Sequence, residues 1–577
     1  MLWSFLKSAF RARARTSAPL YRGLELRRQG RLREAEEALR KAATAAPGDA
    51  AAATNLAIVL LEQDMADEGI AWLERALRYD ARFAPAHYNL ANAMRASGQR
   101  EQALAHYQAA LEADPGFAPA REECMFSLLE VCDWDRAAIH ADALRQMSGS
   151  RPAAEWMKFV SPLAAVYLGF DPALRKEVAA FHAAECARGV KAVKRSPAAD
   201  AAPAKLKIAY LSRDFRNHPV GQLLGNVFSL HDRARFEVHA YSYGPDDGSI
   251  YRKSIAGAVD RFVDARGLSD DEFAADIARS GIHVAIDLAG HTTGNRLAVL
   301  ARRPAPVQAH YLGYPSTVGA PWIDYFITDS AATPPALAAE FTEQLAYLPH
   351  CFMVSDGSDV HGADALREAE GLPRDAAVFC NFNNASRITR DMFRAWMLIL
   401  RAVPGSVLWL PGASALTAAN LRKEAQMCSV DATRLVFAQR VPTKAMHIAR
   451  LALADLMLDT VGWHNGHSST SDALWAGVPV LTAPAQHFAG RVAASLVHAA
   501  GLPELAVRDL KAYVETAVRL GNERAVLTDL THKLADAKRT APFFDTRGTV
   551  RDLESAYAAM WETFRAGRGA RTIGLPG

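Results

Sequence analysis

Long apolar runs are missing from this chain: no stretch approaches the roughly 18 consecutive apolar residues that a membrane-spanning helix needs. The opening MLWSFLKSAFRARARTSAPL is basic but lacks the uninterrupted apolar core of a secretory signal. Leu2, Trp3, Phe5, Leu6 and Phe10 alternate with Lys7, Arg11, Arg13 and Arg15, a pattern that reads as an amphipathic helix over 1–16. It either covers the first of the following helices or seeks a surface. Cysteine is scarce. Cys124, Cys132, Cys186, Cys351, Cys380 and Cys428 form no CxxC pair and no dense framework, which argues against a disulfide scaffold. They are expected to be reduced thiols in a cytoplasmic protein. Charge of one sign is scarce too: a net +3 over 577 residues gives no general attraction to nucleic acid or membrane. No GxGxxG follows a leading strand and no phosphate-binding GxxxxGK[ST] loop is present, so nicotinamide, flavin and P-loop chemistry are unsupported.

What remains is ordinary globular protein, 50% hydrophobic and 22% charged, long enough for three or four domains. Its N-terminal part repeats. A shift of 34 residues superimposes Ala42, Ala76 and Ala110, then Leu39, Leu73 and Tyr107, then Gly30, Asp64 and Gly98. Small residues sit where two helices approach closely, and Gly or Pro follows where a helix must stop. This helix–turn–helix period resembles the tetratricopeptide family, with about three clear units over 17–118 and degenerate helical material to about 190. Such units stack and leave a groove for a protein partner. Asn55 and Asn89, one repeat apart, either clasp the backbone of a bound peptide or cap and bridge their own helices.

The Ala/Pro-rich segment 191–205 has no period and reads as a linker. Beyond it, compact apolar strands are expected at 206–212, 236–243, 283–290 and 307–314, with helical patterns such as 269–280 between them. The rhythm restarts at 376–383, 406–412, 434–439, 453–460 and 478–484. Strand–helix alternation in two blocks predicts two Rossmann-like lobes, 206–371 and 372–577, each a parallel sheet with helices on both faces. Ligands of such sheets bind beyond the carboxyl ends of the strands.

Five motifs fall there: SRDFRNHPVG (212–221), DLAGHTTGNR (287–296), RPAPVQAHYLGYPSTVGAPWIDY (303–325), CNFNNASRIT (380–389) and LDTVGWHNGHSSTSDALWAGVPVLTAP (458–484). In this order they resemble the O-linked N-acetylglucosamine transferase family, which includes SPINDLY-type O-fucosyltransferases. The resemblance covers about 206–567 and implies a GT-B glycosyltransferase architecture behind a tetratricopeptide α-solenoid. Asp133-Trp134-Asp135 has the DxD form of metal-dependent transferases, but it lies among the helical repeats and reads as coincidence.

The resemblance assigns roles. Departure of a diphosphate without a metal needs helix N-termini and side-chain donors. His467, Ser468 and Ser469 stand where a helix should start and match the family's diphosphate site, and Asp472 matches the acid that holds the ribose. Ordinary N-terminal capping is the competing account of Ser468, Ser469 and Asp472. Lys444 and His447 match base-binding positions, and Asn384 with Arg387 would help carry the leaving diphosphate. His218 matches an active-site histidine that orients the acceptor hydroxyl or takes its proton. His291 would position sugar or acceptor, and Gly313, Pro315 and Thr317 form the turn that lets backbone approach the sugar.

The match has departures. Arg387 stands where the family has lysine, keeping the charge on a wider, geometrically fixed group. Ser316 and Val318 replace smaller residues of the turn, and only about 20 residues (351–372) join the lobes. SPINDLY-type members tend to lack the phosphate-loop histidine that stands here as His467, so the resemblance implies a UDP sugar over GDP-fucose. The expected activity is metal-independent, inverting transfer of N-acetylglucosamine from UDP to Ser or Thr of recruited proteins, with a terminal helix near 551–566 bracing the lobes. No cofactor, nucleic acid or transmembrane segment is expected. The alternatives are another activated sugar on the same fold, or a repeat-based adaptor whose transferase region is inactive.

Overall fold

The computed structural model describes residues 18–28, 30–195, 203–357 and 365–574. The helix expected over 1–16 lies outside them, as do 196–202 of the linker and 358–364 of the lobe junction. The chain divides into two compact units, one ending at Val160 and the other beginning at Ser161.

The first unit is a run of helical hairpins: α1 (Ala18–Arg28) with α2 (Leu32–Ala45), α3 (Ala50–Glu62) with α4 (Ala66–Tyr79), α5 (Ala84–Ala96) with α6 (Arg100–Ala113), and α7 (Ala118–Glu130) with α8 (Trp134–Ser150). Ala42, Ala76 and Ala110 are all buried, as close helix packing requires. At Gly23 the approach is closer still, since a Cβ there would stand 2.5 Å from Leu39 Cγ. The turns repeat as well. Gly30, Asp64, Gly98 and Cys132 are all left-handed, with φ of 74°, 62°, 83° and 54°. The fourth member extends the 34-residue register one hairpin beyond the three units read from sequence. Cys132 hides it, because a non-glycine residue in this region costs about 1–2 kcal/mol and is not expected there.

The second unit holds two parallel sheets. The first comprises β1 (Leu206–Ser212), β2 (Phe236–Ser242), β3 (Arg261–Asp264), β4 (Val284–Asp287), β5 (Val307–His310), β6 (Tyr325–Asp329) and β7 (Gln344–Leu348), in the order β3-β2-β1-β4-β5-β6-β7. The second comprises β8 (Val378–Cys380), β9 (Val407–Leu410), β10 (Leu435–Phe437), β11 (Leu456–Leu458) and β12 (Val480–Leu481), in the order β10-β9-β8-β11-β12. Strand order reverses beside β1 and β4 in the first sheet and beside β8 and β11 in the second, which opens a crevice at each point. The strand expected over 307–314 stops at His310, because Leu312 turns left-handed at φ 70°.

One boundary differs from the sequence reading. Helices Pro162–Tyr167 and Pro172–Cys186 belong to the second unit, not to the repeats as the 17–190 span supposed. Ala183 is part of the same buried cluster as Ala209, Tyr241 and Phe273 of the first sheet. A Cβ on Gly319 would meet the Ala179 backbone at 2.4 Å, so this helix lies directly on the loop after β5.

The last helix, Thr546–Arg565, packs back on the first sheet. Glu554 Oε1 accepts from His231 Nδ1 (3.0 Å) and from the Asp232 amide (2.8 Å), and the Tyr557 and Tyr210 hydroxyls meet at 3.0 Å. Ile573 then bonds to the edge of β7, donating to Leu345 O and accepting from the Tyr347 amide. This helix follows the second sheet in sequence and docks on the first, so it ties the lobes together.

Candidate active site

The loop after β1 carries His218 into the N-cap position of helix Pro219–Leu224. Its Nδ1 accepts from the Val220 amide at 3.3 Å and stands 3.7 Å from Asp214 Oδ2. With Nδ1 accepting, the neutral ring carries its proton on Nε2. A small shift toward Asp214 would move the proton to Nδ1 and leave Nε2 as a base. Burial pulls the His218 pKa down, and Asp214 opposes that. Asp214 is a carboxylate beside the His218 ring that sequence reading passed over.

Behind this loop, Asp287 at the end of β4 is buried and accepts from His310 Nδ1 (2.8 Å) and the Gly290 amide (2.7 Å). His310 reaches on to Tyr314 O at 3.1 Å. This core shapes the GHT segment and the following turn. His291 donates Nε2–H to Val318 O at 2.7 Å, which leaves Nδ1 as an acceptor, and burial pushes its pKa down to about 4. Gly313 is required where it stands, since a Cβ would lie 1.7 Å from Leu288 O. Pro315 lines a small pocket with Ser316, Arg175, His487 and Ala489. Thr317 lines it too, but its hydroxyl is spent on the turn: it donates to Glu343 Oε2 at 2.6 Å and accepts from the Gly319 amide at 3.1 Å.

In the second lobe the loop between β11 and helix Ser468–Ala476 is organised by Asp459, which is wholly buried at the end of β11. It accepts from the Gly466 amide (2.7 Å), Asn383 Nδ2 (3.0 Å) and Thr482 Oγ1 (2.7 Å), and burial raises its pKa to about 6. Gly466 has no room for a side chain: a Cβ would stand 2.3 Å from Thr470 Oγ1 and 2.7 Å from Asp459 Oδ1. Asn383 Oδ1 in turn accepts from Ser469 Oγ.

The start of helix Ser468–Ala476 has no side-chain cap. The first bond into its first turn is Ser471 N–H to His467 O, so the amides of Ser468, Ser469 and Thr470 have no acceptor within the helix. Neighbouring helices are closed by their own residues: Thr389, Ser414, Thr443 and Asp509 each accept from their helix N-terminus. Ser469 points to Asn383 instead, so the capping account of this serine fails. Three amides and the positive end of a nine-residue helix are left to an anion.

Arg387 stands beside that end, its NH1 donating to Asn465 O at 2.9 Å and its guanidinium also bonded to the Tyr167 hydroxyl. It helps depress His467, which burial takes down to about 3. His467 and the buried His464 lie ring to ring, with centroids 4.6 Å apart. Asn384 is exposed and caps the turn that presents Arg387, accepting from the Ser386 amide at 3.0 Å. The buried partner in that motif is its neighbour Asn383.

Asp472 and Lys444 are brought together as an ion pair of 2.7 Å. Lys444 Nζ also reaches Gln222 Oε1 of the first lobe at 3.3 Å. His447 lies edge-on to Phe382 at 5.2 Å and is held neutral by burial, its pKa down to about 4. It offers a flat uncharged ring at the same end of the crevice.

The repeat asparagines sit elsewhere, in the first unit. Asn55 Nδ2 donates to Ala51 O at 2.8 Å and Asn89 Nδ2 to Pro85 O at 2.7 Å, so both amide groups turn into their own helices. Both residues are buried, and Asn55 Oδ1 has no partner. Asp133 of the DxD match caps α8, accepting from the Arg136 amide.

Sequence reasoning missed Asp459, Asn383, Asp214 and Tyr167. The first three follow β11, β8 and β1, where crevice residues are expected, and strand-end position was the usable signal. Tyr167 precedes the linker, and nothing local marks it.

Comparison with known proteins agrees with this fold. A family model described as glycosyl transferase family 41 matches residues 131–363 and 363–553, and tetratricopeptide models match 26–93 and 84–117. The probable UDP-N-acetylglucosamine–peptide N-acetylglucosaminyltransferase SEC of Arabidopsis thaliana is 35% identical over 459 residues, which are 76% of this chain and 46% of that protein. The Petunia hybrida protein named SPINDLY is 30% identical over 366 residues, 62% of this chain and 39% of that one. The chain spans about half the length of the curated relatives it matches, or less. A solved mutant of Thermobaculum terrenum O-GlcNAc transferase superposes with a TM-score of 0.69 at 28% identity, covering 95% of this chain and 98% of that one. With its tetratricopeptide hairpins and its paired parallel sheets, the chain belongs to glycosyltransferase family 41.

Proposed function

We propose that this chain transfers N-acetylglucosamine from its UDP donor to Ser or Thr hydroxyls of proteins, with inversion and without a metal. The observation that carries the reading is the uncapped start of helix Ser468–Ala476 beside Arg387: three free amides and a guanidinium suit a departing diphosphate. The ribose would displace Lys444 from Asp472, and the uracil would lie on His447. The acceptor hydroxyl would attack the anomeric carbon from the face opposite the diphosphate. Its proton would pass to His218 Nε2 once Nδ1–H is turned to Asp214, while the bond from sugar to phosphate oxygen breaks and its electron pair stays on UDP. The six cysteines form no disulfide, which suits a reducing, cytoplasmic setting, and the repeats would present the protein substrate.

Calorimetric titration with UDP, GDP and CMP, in the presence of EDTA, tests the donor. UDP alone should bind, and a preference for GDP would keep the fold but replace the sugar. Mass spectrometry of an acceptor peptide incubated with UDP-N-acetylglucosamine tests the transfer, which EDTA should leave unchanged. His218→Ala should lower kcat by about 100-fold or more while UDP still binds. Full transfer by that variant would remove His218 from the chemistry.

A further inference from the structure

The helix after His218 carries a polar side chain that none of the roles above uses. Gln222 is half-buried on helix Pro219–Leu224 and faces two ways. Its Nε2 donates to Asn217 Oδ1 at 2.9 Å, and its Oε1 accepts from Lys444 Nζ at 3.3 Å. The first contact staples the two ends of the turn that contains His218. The second crosses the crevice to the lysine paired with Asp472 at 2.7 Å. The same turn is held from outside by Asp247 Oδ2, which accepts from the Asn217 amide at 2.7 Å. The path Asp472–Lys444–Gln222–Asn217 therefore joins the nucleotide end of one lobe to the loop that carries His218 on the other, through polar contacts at every step.

We infer that Gln222 is a positioning residue that couples the nucleotide subsite to His218. The inference rests on the proposed donor binding at Asp472. A ribose that takes Asp472 removes the lysine's carboxylate partner. Lys444 is then left with Gln222 Oε1 as its remaining protein acceptor, a charge-assisted bond that tightens when the competing carboxylate is withdrawn. Tightening draws the Asn217–Gln222 turn against the second lobe and fixes the His218 ring over the donor. Without Gln222 the donor still binds to the second lobe, but His218 is left to find its orientation unaided. Misplacement of this kind costs rate more than affinity.

The test uses the full-length protein. Gln222→Leu keeps the volume and removes both bonds. It should lower kcat roughly 10- to 100-fold with the donor KM within about twofold of wild type. Gln222→Glu still accepts from Lys444, and it can accept from Asn217 Nδ2 once that amide turns over, so it should recover most of that loss, whereas a packing role would not separate the two variants. A second readout needs no turnover: hydrogen exchange of the peptide covering 213–224 with and without UDP. In wild type, UDP should protect this peptide of the first lobe as well as the loop 464–472. In Gln222→Leu, protection should be confined to 464–472. If UDP protects 464–472 in wild type but leaves 213–224 unchanged, the coupling is wrong and the donor reading stands. If UDP protects neither segment, the donor reading fails and the coupling falls with it. Wild-type kcat in Gln222→Leu would also overturn the coupling.

Discussion

At the scale of single residues, the chemistry turns on which charges are held and which are suppressed. Arg387 stands where the resemblance leads one to expect lysine, and its planar fork reaches two fixed oxygens, Asn465 O and the Tyr167 hydroxyl, that a lysine ammonium would not hold with one geometry. Arg387→Met should cost about 100-fold in kcat/KM and weaken UDP binding, and calorimetry with initial rates would measure both. Nearby imidazoles are kept neutral: His467 near 3, His291 and His447 near 4. Their folded pKa values lie below the unfolded value, so they contribute full stability above about pH 6.5 and lose it as the pH falls. Asp459, raised to about 6, runs the other way: its contribution is full below its unfolded value and is lost as the pH rises through about 6. Three imidazoles outweigh one carboxyl, each worth at most about 1.4 kcal/mol per pH unit. Denaturant unfolding at pH 7 and pH 5 should therefore show lower stability at pH 5. Equal or higher stability there would mean these rings are not neutral in the folded protein.

At the scale of elements, the decisive unit is β11, its loop and helix Ser468–Ala476. The loop exists in this form because Asp459 gathers the Gly466 amide, Asn383 and Thr482 beneath it. Adding one methyl at Gly466 drives it against Thr470 and Asp459, and Gly466→Ala should destabilise the protein by about 1–3 kcal/mol. UDP affinity should fall with it, because the amides of 468–470 are aimed by that loop. Thermal unfolding paired with calorimetry would check this, and unchanged affinity in a destabilised variant would show that the helix start is set elsewhere. The motif was readable as a helix start after a strand. Its uncapped state was not, because a serine's hydroxyl can turn to its own helix or to Asn383, 86 residues away, and only the fold chooses.

At the scale of the whole chain, the two compact units meet at Val160 and Ser161 rather than at the linker. A fragment of residues 161–577 should fold and bind UDP within about threefold of the full chain's affinity, since every site residue named for the nucleotide lies in it. Transfer to protein acceptors should fall in that fragment if the repeats recruit them. A fragment starting at 206 should fare worse. It loses Ala183 from the first sheet's core, the helix against Gly319 and the Tyr167 contact to Arg387. Solubility and nucleotide titration of the two fragments would decide between 160 and 205 as the working boundary.

The sequence by itself determined the repeat, the two blocks of strands and the motifs behind their ends. These follow from local rules: a 34-residue spacing of small residues, apolar runs of strand length, and polar loops where parallel strands finish. Glycine positions such as Gly313 were legible for the same reason, as tight turns advertise themselves. Tertiary structure alone decided what depends on partners far apart in the chain. It put Pro162–Tyr167 and Pro172–Cys186 with the sheets, buried Asp459 as the loop's acceptor, turned the Asn55 and Asn89 amides into their own helices, and set Lys444 between Asp472 and Gln222. The direction of a side-chain hydrogen bond and the cost of burying a charge are fixed by whichever groups arrive around it, and those arrive only when the sheets close.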